Sequence, residues 1–202
     1  MEENNQDINL AKVIFLGDNN VGKSSILASI LNWKTSLPKK TIISRIFNKN
    51  DGSGEKVKIN FYDTIKDENY ENINPIYYRH AQIAIIVFDV TKRSSFEILP
   101  EIMKKIKENA HSSIILILVG NKIDLEINNT RSTTKEEAEK YAKNIGAFYI
   151  EVSSLTREGI DDLVNLMINK IPKPDPNNQV VTLQAIQPLQ TNFCSRITCG
   201  AR

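Results

Sequence analysis

One octet narrows the folds open to this chain more than any other feature: Gly17-Asp18-Asn19-Asn20-Val21-Gly22-Lys23-Ser24, which has the form G-x-x-x-x-G-K-[ST]. It lies between the apolar run Leu10–Leu16, which predicts a strand, and a helical pattern over Lys23–Leu31. A strand that passes through such a loop into a helix turns successive backbone N–H groups inward. The start of the helix adds roughly half a positive charge. That arrangement binds phosphate, and its candidate contacts are Asn19, Asn20, Val21, Gly22, Lys23, Ser24 and Ser25. Lys23 brings a full charge to the outer phosphates. The Ser24 hydroxyl is placed to ligate Mg²⁺, a hard cation that prefers oxygen and bridges terminal phosphates, so its role is metal ligand and not nucleophile.

The rest of the chain repeats the alternation that the octet begins. Ile83–Phe88, Ile114–Val119 and Ala147–Glu151 also read as strands, each followed by a helical stretch or by a loop and a helix, which predicts a parallel α/β sheet. Thr41–Phe47 and Lys56–Tyr62 are different. They flank the turn-rich Asn50-Asp51-Gly52-Ser53-Gly54, with no room for a crossover helix, and predict an antiparallel hairpin. Helices are expected over Tyr70–Arg79, Ser95–Asn109, Thr134–Asn144 and Glu158–Asn169 as well as Lys23–Leu31, several of them with Ser or Thr placed as a cap. The expected architecture is about six strands, mostly parallel with one antiparallel hairpin, and about five helices.

At 202 residues the chain suits one domain with a tail. Residues 1–9 read as an N-terminal extension, 10–171 as the folded domain and 172–202 as a flexible tail. The tail begins where PKPDPNNQ removes backbone donors and apolar periodicity. Lys and Arg total 26 against 24 Asp and Glu, which provides no global field to recruit nucleic acid. The apolar run Ile114–Val119 is far short of the ~20 residues that span a bilayer, and MEENNQDINL is polar, unlike a signal peptide. Cys194 and Cys199, the only cysteines, lie in the tail, where they cannot staple a core, so a reduced cytosolic setting is the default expectation.

A second motif specifies the base. Ile114–Val119 runs into Gly120-Asn121-Lys122-Ile123-Asp124, which places N-K-x-D at the C-terminal edge of the expected sheet, where ligands of open α/β folds bind. A carboxylate at Asp124 only accepts hydrogen bonds. Guanine presents two adjacent donors, N1–H and the exocyclic amine, and adenine presents none in that arrangement. Asp124 is therefore expected to select GTP over ATP, by ~10⁴-fold or more when a mismatch leaves it unpaired.

Together with further segments, these residues resemble the Rab branch of the Ras superfamily of small GTPases. Tyr62-Asp63-Thr64 is similar to its W-D-T, Ile76-Tyr77-Tyr78-Arg79-His80-Ala81 to M-Y-Y-R-G-A, and Phe88-Asp89-Val90-Thr91 with Ser95-Phe96 to Y-D-I-T…S-F. The likeness runs from about Lys12 to Ile171 and implies a small G domain of the P-loop NTPase fold. It implies that Thr41 joins Ser24 on Mg²⁺ and senses the third phosphate, and that Asp63 holds the metal through water. It also implies that Ser153-Ser154-Leu155 stands for S-A-K at the guanine edge, beside Asn121, Lys122 and Asp124, with Trp33 as an aromatic near the base. The implied cofactors are GTP or GDP and Mg²⁺. The implied work is a switch in vesicle traffic, met at its switch regions by effectors, an exchange factor and a GTPase-activating protein. The expected form is a monomer.

The third motif of that family, D-T-A-G-Q-E, reads Asp63-Thr64-Ile65-Lys66-Asp67-Glu68 here. Lys66 stands where a glycine swings its N–H to the terminal phosphate, and a side chain penalises positive φ there by ~1–2 kcal/mol. Asp67 occupies the position of the glutamine that orients water, so no residue is assigned as catalytic. Its charge ~5 Å from phosphate at a dielectric of ~20 is repelled by roughly 3 kcal/mol. That is about a hundredfold in rate. Lys66 can offset part of this by pairing with Asp67 or with the phosphate. Asn19 adds bulk in the loop, and Leu155 removes a polar contact to the base. Slow turnover of GTP to GDP and phosphate is expected, with partner proteins setting the state.

The tail ends Cys194-Ser195-Arg196-Ile197-Thr198-Cys199-Gly200-Ala201-Arg202, with separated cysteines where Rabs generally carry a geranylgeranylated pair. Cys199 has the spacing of C-a-a-X, although its following residues depart from it. Two outcomes stay open: unmodified thiols, or lipidation at Cys199 and Cys194 that attaches the protein to the cytosolic face of endomembranes. Two functions of other classes also stand beside the switch, a GTP-binding scaffold locked in one state and a P-loop phosphotransferase. The second has no use for N-K-x-D.

Overall fold

Apolar strands assemble one sheet between two apolar layers, in a computed structural model that describes residues 9–33, 42–49, 54–62, 74–128 and 130–172. The strands are β1 (Asn9–Gly17), β2 (Ile42–Asn48), β3 (Lys56–Tyr62), β4 (Ile83–Asp89), β5 (Ile115–Asn121) and β6 (Phe148–Val152), in the order β2-β3-β1-β4-β5-β6. β4 is buried at every residue, as a central strand covered on both faces must be. It pairs in parallel with β1 and β5, while β1 pairs with β3 and β5 with β6, also in parallel. β2 is the antiparallel member, in register with β3 from Ile42 opposite Tyr62 to Asn48 opposite Lys56. The expected mostly parallel sheet with one hairpin is the sheet observed.

The α-helices are α1 (Lys23–Ile30), α2 (Arg93–Glu97), α3 (Leu99–Asn109), α4 (Lys135–Ile145) and α5 (Ile160–Lys170). Because side chains alternate along a strand, Val13 and Phe15 of β1 join one core with Ile26 and Leu27 of α1 and Leu163 and Met167 of α5. Ile14 and Leu16 join the other, with Leu99, Ile102, Met103 and Ile106 of α3 and Ala138 and Ala142 of α4. The α3 residues recur at the spacing of a single helical face.

Two helical expectations change. The single helix expected over Ser95–Asn109 is divided at Ile98, and Pro100 falls in the first turn of α3, where its missing N–H costs nothing. Of the helix expected over Tyr70–Arg79, 70–73 lie outside the described residues. The described part forms only a 3₁₀ turn, Pro75–Tyr77. Asn74 is extended (ψ 129°) because the ring of Pro75 disfavours helical backbone before it, and its side chain caps the turn by accepting from the N–H of Ile76. The expected Ser and Thr caps reduce to Thr134, which accepts from the N–H of Glu137. α1, α2, α3 and α5 have no side-chain cap. A 3₁₀ segment over Ile123–Asn128, just after β5, was not signalled by apolar periodicity.

Lys12 ties the 3₁₀ turn to the sheet. Its Nζ donates to the carbonyls of Ile76 (3.0 Å) and Arg79 (2.8 Å) and lies 4.3 Å from the centroid of the Tyr62 ring. Burial lowers its pKa to about 8. The folded unit ends at Pro172. Lys173–Arg202 falls outside the described residues, and Cys194 and Cys199 with it.

Candidate functional site

The loop between β1 and α1 has its shape because two positions admit no side chain. Gly17 ends β1 at φ 144°, and a Cβ there would lie 2.3 Å from the carbonyl oxygen of Val87 on β4. Gly22 opens α1 at φ 97°, and a Cβ there would lie 2.2 Å from Nδ2 of Asn121. Between them Asn20 also has positive φ (62°), a conformation Asn tolerates better than most residues. The Lys23 side chain folds back over the loop and donates to the carbonyls of Gly17 (2.9 Å) and Asp18 (2.7 Å). Its cation therefore sits at the mouth of the loop. α1 starts on Gly22 without a side-chain cap, so the first-turn donors of a helix, which have no acceptor within it, face the loop side.

The N-K-x-D segment reaches this loop directly. Asn121, fully buried at the end of β5, donates through Nδ2 to the carbonyl of Val21 (2.8 Å) and accepts through Oδ1 from the N–H of Ser154 (3.2 Å). A single side chain thus bridges the loop between β1 and α1 and the segment after β6. Lys122 has positive φ (71°), and its Nζ donates to the carbonyl of Asn20 (2.8 Å) and pairs with Asp89 Oδ2 (2.6 Å). Asp124 lies in the 3₁₀ segment, where Oδ1 accepts from Ser153 Oγ (2.6 Å). The same Ser153 oxygen accepts from the N–H groups of Leu155 (3.2 Å) and Thr156 (3.0 Å). The hydroxyl fixes the loop and aims the carboxylate at once.

Two carboxylates that the motifs do not single out complete the electrostatics. Burial pushes the Asp89 pKa up, but hydrogen bonds from Lys122 and Thr91 outweigh it, and the carboxyl is held below its ordinary value. Asp18 behaves alike: burial raises it, and Lys92, at 2.7 Å, with the N–H of Asn19 lowers it further. The missed signal for Asp89 is positional. β4 ends on Asp89 directly opposite Asn121, which ends β5.

Ser24 and Ser25 stand on the first turn of α1, Ser24 half-buried and Ser25 exposed. Asn19 is exposed in the loop, and Leu155 is 80% exposed beyond Ser154. Trp33, 42% exposed, follows the C-terminal end of α1. Thr41, Asp63, Lys66 and Asp67 lie outside the described residues. Ser24 is therefore the one described member of the expected Mg²⁺ set. Its hard oxygen in the turn beside Lys23 suits a cation shared with phosphate. Among the described residues no three His, Cys, Asp or Glu side chains gather to hold a metal by themselves, and no helix is long and apolar enough to cross a membrane.

A family model described as "Ras family" matches residues 12–173. Among curated proteins, the Ras-related protein RABA4b of Arabidopsis thaliana is 34% identical over 162 residues, covering 79% of this chain and 71% of that protein. The Ras-related protein Rab11A of Lotus japonicus is 33% identical over 162 residues, 79% of this chain and 71% of its own. The GTP-binding protein ypt5 of Schizosaccharomyces pombe is 32% identical over 171 residues, 83% of this chain and 81% of its own.

Proposed function

We propose that this chain, which belongs to the Ras family and is a Rab-like small GTPase, works as a guanine-nucleotide switch in membrane traffic and turns over GTP slowly. The observation that carries the reading is the Asn121 bridge. With its amide on Val21 and its carbonyl on Ser154, a phosphate-gripping loop and a base-reading segment share one rim of the sheet.

Each residue has a distinct task. The loop from Asn19 to Gly22 and the first turn of α1 hold the phosphates through main-chain N–H groups, and Lys23 exchanges its two carbonyl partners for phosphate oxygens. Asp124, held by Ser153, accepts from N1–H and the exocyclic amine of guanine. Ser154 and Leu155 border the same edge. Ser24 and Thr41, with Asp63 through water, would hold Mg²⁺, which would supply neutralisation of phosphate charge when bound. Lys66 and Asp67 stand for the glycine and glutamine of the family motif and slow hydrolysis through backbone strain and charge repulsion.

Effectors, an exchange factor and a GTPase-activating protein then set the state, and lipid on Cys199 or Cys194 attaches the protein to the cytosolic face of endomembranes. A single-turnover assay with purified protein, Mg²⁺ and radiolabelled GTP tests the core claim. Tight GTP binding with turnover about a hundredfold below that of an ordinary small GTPase is expected. Absence of bound guanine nucleotide sinks the switch, and ordinary turnover sinks the slow-hydrolysis part. The Lys66 and Asp67 substitutions also favour a second reading, a GTP-binding scaffold locked in one state, for which partners would bind the GTP and GDP forms equally.

A further inference from the structure

The turn that carries Asp124 is fastened by a side chain that belongs to neither motif. Arg131 directs Nη1 to Glu126 within that turn, Nη2 to Glu151 on β6, and Nε to the carbonyl of Thr133 (2.6 Å). Glu126 lies two positions after Asp124, and Glu151 two positions before Ser153, the residue whose hydroxyl holds Asp124. The planar fork of one guanidinium thus joins the two pieces of chain whose relative placement sets the Asp124 carboxylate. Its surroundings are made for it. The Tyr149 hydroxyl donates to the same Glu151 oxygen (2.6 Å), and Thr130 Oγ1 closes the turn on the carbonyl of Leu125 (2.6 Å). The N–H groups of Ser132 and Thr133 anchor the next residues to the carbonyl of Val90 (2.8 and 3.2 Å). The Arg131 and Glu151 side chains are four-fifths buried, so the pair is shielded from screening far better than a surface ion pair.

We infer that Arg131 is a positioning residue for guanine selectivity, holding the Asp124 turn against the β6 end so that the carboxylate meets both donors of the base. The inference rests on the guanine reading above. Without Arg131, Glu126 and Glu151 are left as neighbouring like charges, and the turn moves away from Ser153. A tilted carboxylate loses mainly the exocyclic amine contact, because that geometry needs both oxygens in the plane of the base.

The test compares GDP with IDP, whose base lacks that amine, on the full-length chain and its variants with Mg²⁺ present. In Arg131→Met, GDP is expected to dissociate about tenfold faster, and the ratio of GDP to IDP affinity to narrow by about fivefold. Arg131→Lys, which keeps one arm of the clamp, should recover part of that ratio. Glu126→Gln, which removes the charge of the more exposed arm and spares the folded core should Arg131→Met fail to fold, should shift the ratio the same way by a smaller factor. An unchanged ratio in Arg131→Met or Glu126→Gln overturns the inference, as does an equal loss for GDP and IDP, which marks a merely structural role. Wild-type protein that binds neither nucleotide overturns the guanine reading itself, and the clamp with it. Wild-type selectivity with variants that match it overturns the clamp alone.

Discussion

The glycine-bounded loop and the N-K-x-D segment of the candidate site are built by opposite means. Around the loop, geometry comes from the absence of atoms: Gly17 and Gly22 pass where a Cβ would lie 2.3 Å from the Val87 oxygen and 2.2 Å from the Asn121 amide. Around the N-K-x-D segment, geometry comes from side chains that reach across the fold. Asn121 spans to Val21 and Ser154, Lys122 to Asn20 and Asp89, and Ser153 to Asp124. A steric constraint on the backbone fails abruptly when broken, whereas a web of hydrogen bonds loses its members one at a time. The two parts should therefore differ in how they respond to substitution.

The sharpest way to break that contrast is Gly17→Ala. The added methyl meets main chain on a central strand at a φ that L-residues rarely adopt, and a loss of about 3 kcal/mol or more in unfolding free energy by urea titration is expected. A mild effect would show that the loop yields and that its glycine is not the steric device described.

Asn121→Ala comes next. It leaves the buried Val21 carbonyl and the part-buried Ser154 N–H without their partner, which costs about 2–3 kcal/mol in stability, and GDP release measured by fluorescence should speed by at least about tenfold. Lys122→Met removes the cation facing the nearly buried Asp89. Because the Lys122 side chain keeps some solvent contact, the expected loss is smaller, about 2 kcal/mol by thermal or urea unfolding.

Acid sharpens the same point. The Asp89 pKa is depressed in the folded state, so its stabilising contribution is complete above the ordinary carboxylate value of about 4 and fades as pH falls through the lower folded value. Below pH of about 4 the unfolded chain takes up this proton first, so wild type loses stability on acidification and Asp89→Asn loses it less steeply. Parallel curves for the two proteins would remove Asp89 from the account. The smallest effect is expected for Lys92→Ala, since half of that side chain is in water. Its pair with Asp18 should be worth less than about 1 kcal/mol by unfolding, and less still at high salt.

The strand positions were legible because β4 and β5 are continuous apolar runs and β1 is nearly so. Their ends were less so, because Gly120 and Asn121 continue β5 by hydrogen bonding that hydropathy does not register. The break at Ile98 interrupts an apolar pattern that runs through it, two residues before Pro100, and Pro75 likewise sets the extended backbone of Asn74. In the site, Lys23 and Asp124 were legible as motif members. Asp89 was quoted within a family segment but not its pairing with Lys122, and Lys92 and Arg131 were not legible, since each acts on a partner that is remote in sequence.

By itself the sequence determined the glycine-bounded loop, the N-K-x-D segment and the apolar strands between helices, because these depend on local backbone preference and on residue order within a few positions. The tertiary structure alone decided that Gly22 packs on Asn121, that Lys122 faces Asp89, and that Arg131 joins Glu126 to Glu151. Such pairings arise where strand register and turn geometry bring distant residues within hydrogen-bond reach, and hydrogen bonds and ion pairs act over a few ångströms of space whatever their separation along the chain.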